Sequence, residues 1–212
     1  NTLVLYVMGD NGASGEGTEH GVWSAPAFQN GQPEDPEWLL AHLDDFGSPR
    51  AENHYNAAWA WALEAPFQWL KQIASHFGGT RNGLAVSWPR GFAARGALRT
   101  QFHHVIDIVP TIYELTKITP PRIVNGFEQD SIDGVNMVYA FGDAKAPGTR
   151  KTQFFDIMAS RGIYHDGWFA SAPGPREPWV GGSGNQGERA RSFSCQGSRQ
   201  RPRLLPSCPS VA

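Results

Sequence analysis

The chain has 212 residues, a formal net charge of −2 and a pI near 6.4, a size that buries a core as one domain or one and a half. That balance removes the electrostatic case for a nucleic-acid or membrane-surface partner, and no run approaches the roughly 18 apolar residues of a membrane span. Eight Trp and sixteen Pro point to a loop-rich, aromatic, substrate-binding enzyme rather than a helical bundle.

Thr2 to Met8 is apolar and rich in strand formers, which reads as a strand buried on both faces of a parallel sheet. It runs into Gly9-Asp10-Asn11-Gly12, a turn signature. In open α/β sheets ligands sit beyond the carboxyl ends of strands. There Asp10 and Asn11 offer the hard oxygens that Ca²⁺ or Mg²⁺ takes, or form simply a strand-to-loop turn. Residues 12–53 are short of periodicity and rich in Gly, Pro and acids, the pattern of a functional or disordered insertion. Within them Pro36 to Asp45 reads as a short helix.

After His54-Tyr55 comes the Trp-Ala alternation of residues 58–62, read as packing or as a pocket wall. Pro66 then opens an expected helix with Phe67, Leu70, Ile73, Ala74 and Phe77 on one face, closed by Gly78-Gly79. Lys71 falls at the edge of that stripe, either snorkelling to water or aimed into a site. Gly83 to Trp88 reads as a second buried strand, followed by a loop over Gly91 to Gly96. Asp107 caps a helix with Pro110 in its first turn, with Ile108, Ile112 and Leu115 on the core face and an end near Pro120-Pro121. Gly134 to Phe141, Thr152 to Met158 and Arg161 to Ala170 read as strands, with the hairpin over Tyr164 to Trp168. The two cysteines, Cys195 and Cys208, fit neither a disulfide framework nor a C-x-x-C metal site. Residues 180–212 are Gly, Ser, Pro and Arg without apolar period, read as disordered or as an out-of-frame translation.

Taken in order, several of these stretches resemble the C-terminal half of the arylsulfatase family. They are Val7 to Gly12, His54-Tyr55 with the Trp-Ala run, Pro66-Phe67 through Lys71-Gln72 to Arg81, Val86 to Pro89, His104 to Thr111, and Arg161 to Trp168. The resemblance implies an α/β fold: part of an alkaline-phosphatase-like sheet with flanking helices over residues 1–125, then a small antiparallel subdomain over 126–179. It implies hydrolysis of a small-molecule or carbohydrate sulfate ester in a periplasmic or secreted enzyme. It also implies Ca²⁺, rather than Mg²⁺, held by Asp10 and Asn11 together with an Asp pair from an N-terminal half. Lys71 matches the lysine that binds a sulfate oxygen. His54 falls on a His-Tyr pair counted with the substrate-binding residues, without a specific role. His103, His104 and Asp107 match as structural residues.

The chain departs from the family where the nucleophile belongs. That nucleophile is a formylglycine made from Cys in Cys-x-Pro-x-Arg, whereas Cys195-Gln-Gly-Ser-Arg199 lacks the Pro and follows Asp10, and Cys208-Pro-Ser has no Arg in register. The expectation is therefore a truncated sulfatase, inactive alone. The alternatives are a phosphonate or phosphate monoester hydrolase of the same superfamily, and a non-catalytic fragment.

Overall fold

The computed structural model describes residues 1–32, 34–93, 96–174 and 178–179, and the backbone of Ser194–Gly197. The fold is mixed α/β: short helices, two two-stranded ribbons and a four-stranded antiparallel sheet. No helix among the described residues is long and apolar enough to cross a membrane.

Strand β1 (Val4–Met8) pairs with β2 (Gly83–Ser87) in an antiparallel two-stranded sheet, Val4 opposite Ser87 and Met8 opposite Gly83. This corrects the expectation of a buried parallel pair. Val4, Tyr6 and Met8 are 52%, 61% and 53% exposed. An apolar run states that a strand suits a buried place; it fixes neither the direction of its neighbour nor whether other strands cover it.

The described residues of 12–53, a stretch expected to be irregular, carry ordered structure. Helix α1 (Ala25–Gln29) is capped by the Ser24 hydroxyl, and α2 (Pro36–Ala41) by the Asp35 carboxylate, with Pro36 at its first position. A 3₁₀ turn, Leu43–Asp45, follows, so the expected Pro36 to Asp45 helix is present with a break at His42. Trp23 meets Trp38 edge-on at 5.3 Å while His42 stacks on Trp38 at 4.0 Å, beside buried Val22 and Leu39. Aromatic packing thus orders a stretch whose sequence shows no period. The Trp-Ala run lies in α3 (Ala57–Glu64), which buries Ala60 and leaves Trp59 and Trp61 largely exposed.

The helix expected from Pro66 does not form. Residues 65–76 run through turns, with Trp69 and Gln72 at φ of +64° and +75°, values that interrupt a right-handed helix. The apolar residues still go inside: Leu70, Ile73 and Ala74 are buried. Helix α4 (Phe77–Thr80) therefore contains the Gly78-Gly79 pair rather than ending at it. Gly78 is required there for space, since a Cβ would lie 1.9 Å from the Trp69 carbonyl oxygen.

Downstream, the 3₁₀ turn Val105–Asp107 leads into α5 (Ile108–Thr116), which ends with Lys117 in the left-handed region, short of the prolines. Asp107 holds the N-cap position without capping α5. Its carboxylate turns back to the His104 N–H at 2.9 Å and outward to the Val135 N–H at 2.8 Å, and it pairs with Arg150. The buried face of α5 therefore runs through Asp107 and Thr111, and Ile112 is 43% exposed. A small ribbon, β3 (Ile123–Val124) and β4 (Phe127–Glu128), comes next. The expected strand over Gly134 to Phe141 is instead a loop and helix α6 (Val138–Gly142). Met137 takes the Thr111 hydroxyl as acceptor at 2.9 Å, and Met137 and Ala140 are buried. Burial beside α5 decided there over strand propensity.

Strands β5 (Thr152–Ile157), β6 (Ser160–His165) and β7 (Trp168–Ala172) form the expected antiparallel meander, with Asp166-Gly167 as the turn. Strand β8 (Ser194–Gly197) adds to β7. Phe169 is 2% exposed and packs 4.9 Å from Phe77. Ser160 joins the sheet to the 73–77 segment, its hydroxyl 3.1 Å from both the N–H and the hydroxyl of Ser75. The remainder of the loop Gly91 to Gly96 at Ala94 and Arg95, and of the tail 180–212, lies outside the described residues.

Candidate functional site

The site grows from the end of β1. Gly9 turns the chain at φ +84°, leaving Asp10 exposed and Asn11 half-buried. The Asn82 amide, with its nitrogen toward the Asn11 carbonyl, bonds the Asn11 main chain at 3.1 and 3.2 Å. The Asp10-Asn11 loop is thus tied to the residue preceding β2.

The next six residues are wound against the segment that carries Lys71. The Lys71 N–H donates to the Ala13 carbonyl at 3.0 Å, and the Ala13 N–H donates to the Glu64 carboxylate. Gly12 has no room for a side chain: a Cβ would sit 1.8 Å from the Gly78 oxygen and 2.9 Å from the Lys71 nitrogen. Contact this close explains the Gly in Asp-Asn-Gly better than turn geometry alone. The Ser14 N–H donates to the Tyr55 hydroxyl at 3.1 Å. Two of the sequence-predicted elements, Asp10-Asn11 and Lys71, are thereby brought into one neighbourhood although sixty residues apart.

His54 approaches from behind the same loop. It forms an isolated bridge with Val22 through bonds of 3.0 and 2.9 Å, and its Nδ1 lies 2.9 Å from the Tyr55 carbonyl, to which it donates. A Cβ on Gly17 would be 2.7 Å from that Nδ1. These contacts hold the ring against the loop; none joins it to Lys71.

Lys71 is neither snorkelling freely nor alone. Its Nζ is 2.8 Å from Glu16 Oε2, both side chains about a third exposed. The same oxygen accepts from the Ser14 hydroxyl at 2.8 Å, and Glu16 Oε1 accepts from the Gln72 amide. Burial pushes the Glu16 carboxyl up, and the bonds from Lys71, Ser14 and Gln72 outweigh it, so the group lies below the ordinary carboxylate value and is anionic at neutral pH. Glu16 and Ser14 were not singled out from the sequence, and Tyr55 and Gln72 entered only as neighbours of His54 and Lys71 without a role of their own. The signal for the cluster was an acid set between two glycines in Gly15-Glu16-Gly17, and its partners Lys71 and Gln72 lie more than fifty residues on.

Asp10 and Asn11 supply only part of the ligand set of the implied Ca²⁺. The ion takes six to eight oxygens, whereas Asp10 supplies one carboxylate and Asn11 one amide. Among the described residues no group of three or more His, Cys, Asp or Glu converges on a point. His103, His104 and Asp107 stay structural: Asp107 is fully buried, with Arg150 Nε at 3.1 and 2.9 Å and His103 Nδ1 at 3.2 Å. His103 Nε2 in turn meets the Tyr139 hydroxyl at 3.0 Å. The chain matches no model of a known protein family.

Proposed function

We propose that the chain carries part of the active site of a sulfate ester hydrolase, the part that holds the oxygens of the sulfate, and that it is inactive alone. What supports the reading is the seating of Lys71 on the loop that follows Asp10-Asn11, through Lys71 N–H to Ala13 O at 3.0 Å. A compact ammonium there neutralises charge on a transferring group and favours the leaving oxygen. The nucleophile and the remaining metal carboxylates come, in this reading, from a segment with Cys-x-Pro-x-Arg. An alkaline-phosphatase-like core belongs to the same proposal, with β1 and β2 as two of its strands. The open apolar faces of Val4, Tyr6, Val7 and Met8 are those of strands made for a larger sheet. Their antiparallel pairing lends that core no support, so the weight rests on the site.

The test is turnover of a fluorogenic aryl sulfate. Joined to a half that carries Cys-x-Pro-x-Arg, the chain turns over, and Lys71→Ala lowers kcat/KM by about 10²-fold, the scale of losing one electrostatic stabiliser. An unchanged rate removes the assignment. Running an aryl phosphate alongside separates the phosphate monoesterase reading, which the same cation would serve. The chain alone should give no turnover and bind Ca²⁺ weakly in calorimetry. Micromolar Ca²⁺ binding, or turnover lost in Asp10→Ala, would show a complete site and overturn the truncated-enzyme reading.

A further inference from the structure

Three donors from two separate segments converge on one carboxylate. Ser14 Oγ and Lys71 Nζ each lie 2.8 Å from Glu16 Oε2, and the Gln72 amide donates to Oε1. Each donor is held by something other than Glu16. The Ser14 N–H is bonded to Tyr55, and the Lys71 N–H to Ala13. Gln72 is fixed at φ +75°, a conformation unfavourable for a residue with a Cβ and one that clusters at ligand-holding sites. The main chain on either side of Glu16 is also pinned. A Cβ on Gly17 would be 1.9 Å from the Tyr55 oxygen, and one on Gly15 would be 2.9 Å from Leu70 Cδ1. The Glu16 side chain itself is a third exposed, so it has water to swing into while its backbone and the three donors stay in place.

We propose that Ser14, Lys71 and Gln72 form a cradle for a tetrahedral oxyanion and that Glu16 is its internal occupant, displaced when the anion binds. A carboxylate offers one negative charge and a pair of oxygens in a plane, which is part of what a sulfate or phosphate group offers to the same donors. A hydroxyl, an ammonium and an amide are also a donor set suited to spreading charge over several oxygens. The inference extends the sulfate-ester reading of Lys71, but its test is binding of free anion and needs no turnover.

The full chain is titrated calorimetrically with sodium sulfate and, separately, with inorganic phosphate at constant low ionic strength. An occupant present nine-tenths of the time weakens apparent affinity about tenfold, because only the open fraction binds. Glu16→Gln is therefore expected to tighten anion binding by about tenfold or more, and adding Lys71→Ala to abolish it. Tightening for sulfate beyond phosphate assigns the cradle to sulfate esters, and the reverse order to phosphate esters. In the unaltered chain, saturating anion should raise the titration midpoint of the Glu16 carboxyl, read by carbon NMR, as its donors are taken away. A folded Glu16→Gln protein that binds neither anion more tightly overturns the proposal. Should that variant fail to fold, a Glu16 midpoint indifferent to both anions overturns it instead. A negative result with Lys71-dependent aryl sulfate turnover intact removes the plug and leaves the hydrolase reading. A working cradle beside turnover indifferent to Lys71→Ala does the opposite.

Discussion

Replacing Asp107 by Ala should unfold much of the C-terminal half. The carboxylate is fully buried and joins three parts of the chain: His103 and His104 before α5, Val135 before α6, and Arg150 before β5. Removing one partner of a buried pair typically costs about 3–5 kcal/mol, since the other charge is left without compensation. The Arg150 side chain is only 8% exposed, so water recovers little of that. The N–H groups of His104 and Val135 lose their acceptor as well, each worth about 1–3 kcal/mol if left unmet. These losses share one network and do not add fully, so about 4 kcal/mol is the expected total, a large part of a typical domain's stability. Urea unfolding followed by Trp fluorescence measures it. Asp156→Ala is the control: its partner Arg161 is 59% exposed, and such a pair is worth about 1 kcal/mol at most. The pH dependence gives a second reading. Burial pushes the Asp107 carboxyl up, but the bonds from His103, Arg150, His104 and Val135 hold it far below the usual carboxylate range. Its folded value is depressed, so its contribution is full above the unfolded value, about 3.9, and is lost as pH falls below that. The unaltered chain should weaken below about pH 4 more steeply than the Asp107→Ala chain. A loss under about 1 kcal/mol, no larger than the surface control, would refute the hub.

Leu70→Ala should cost about 2–5 kcal/mol, because Leu70 is fully buried and lies against Gly15; a change within about 0.5 kcal/mol, the range of surface substitutions, would mean the site loop does not pack on it. Gly12→Ala should lower the thermal midpoint and disturb Lys71 together, since its Cβ would sit 1.8 Å from the Gly78 oxygen; an unshifted melt would show that the loop can move aside. Burial lowers the His76 pKa, so its ring should titrate below the ordinary value of about 6.5 in proton NMR. The neutral ring's contribution to stability should then be present above that value and fade as pH falls through the lower, folded one; a midpoint at or above it would contradict the burial.

The sequence by itself determined the mixed α/β class, the short helix from Pro36 and the meander around Asp166-Gly167, because these depend on neighbours a few residues apart. Alternating strands joined by an Asp-Gly turn have one short-range solution, and an acid at the N-cap with Pro at the first helical position is a local start signal. It also nominated Asp10, Asn11 and Lys71, though with no means of placing them. Only the tertiary structure decided that β1 and β2 run antiparallel and lie open, that 65–76 gives up its helix to fit Leu70 and Gly78 against the site loop, and that residues 138–142 coil beside α5. Helical spacing in Phe67 to Phe77 recorded which residues go inside, and burial by turns satisfies that requirement as well as burial by a helix. The partnership of Lys71 with Glu16 spans 55 positions. Contacts of that range leave no period in a sequence, since what fixes them is the packing of two loops whose glycines leave no other room.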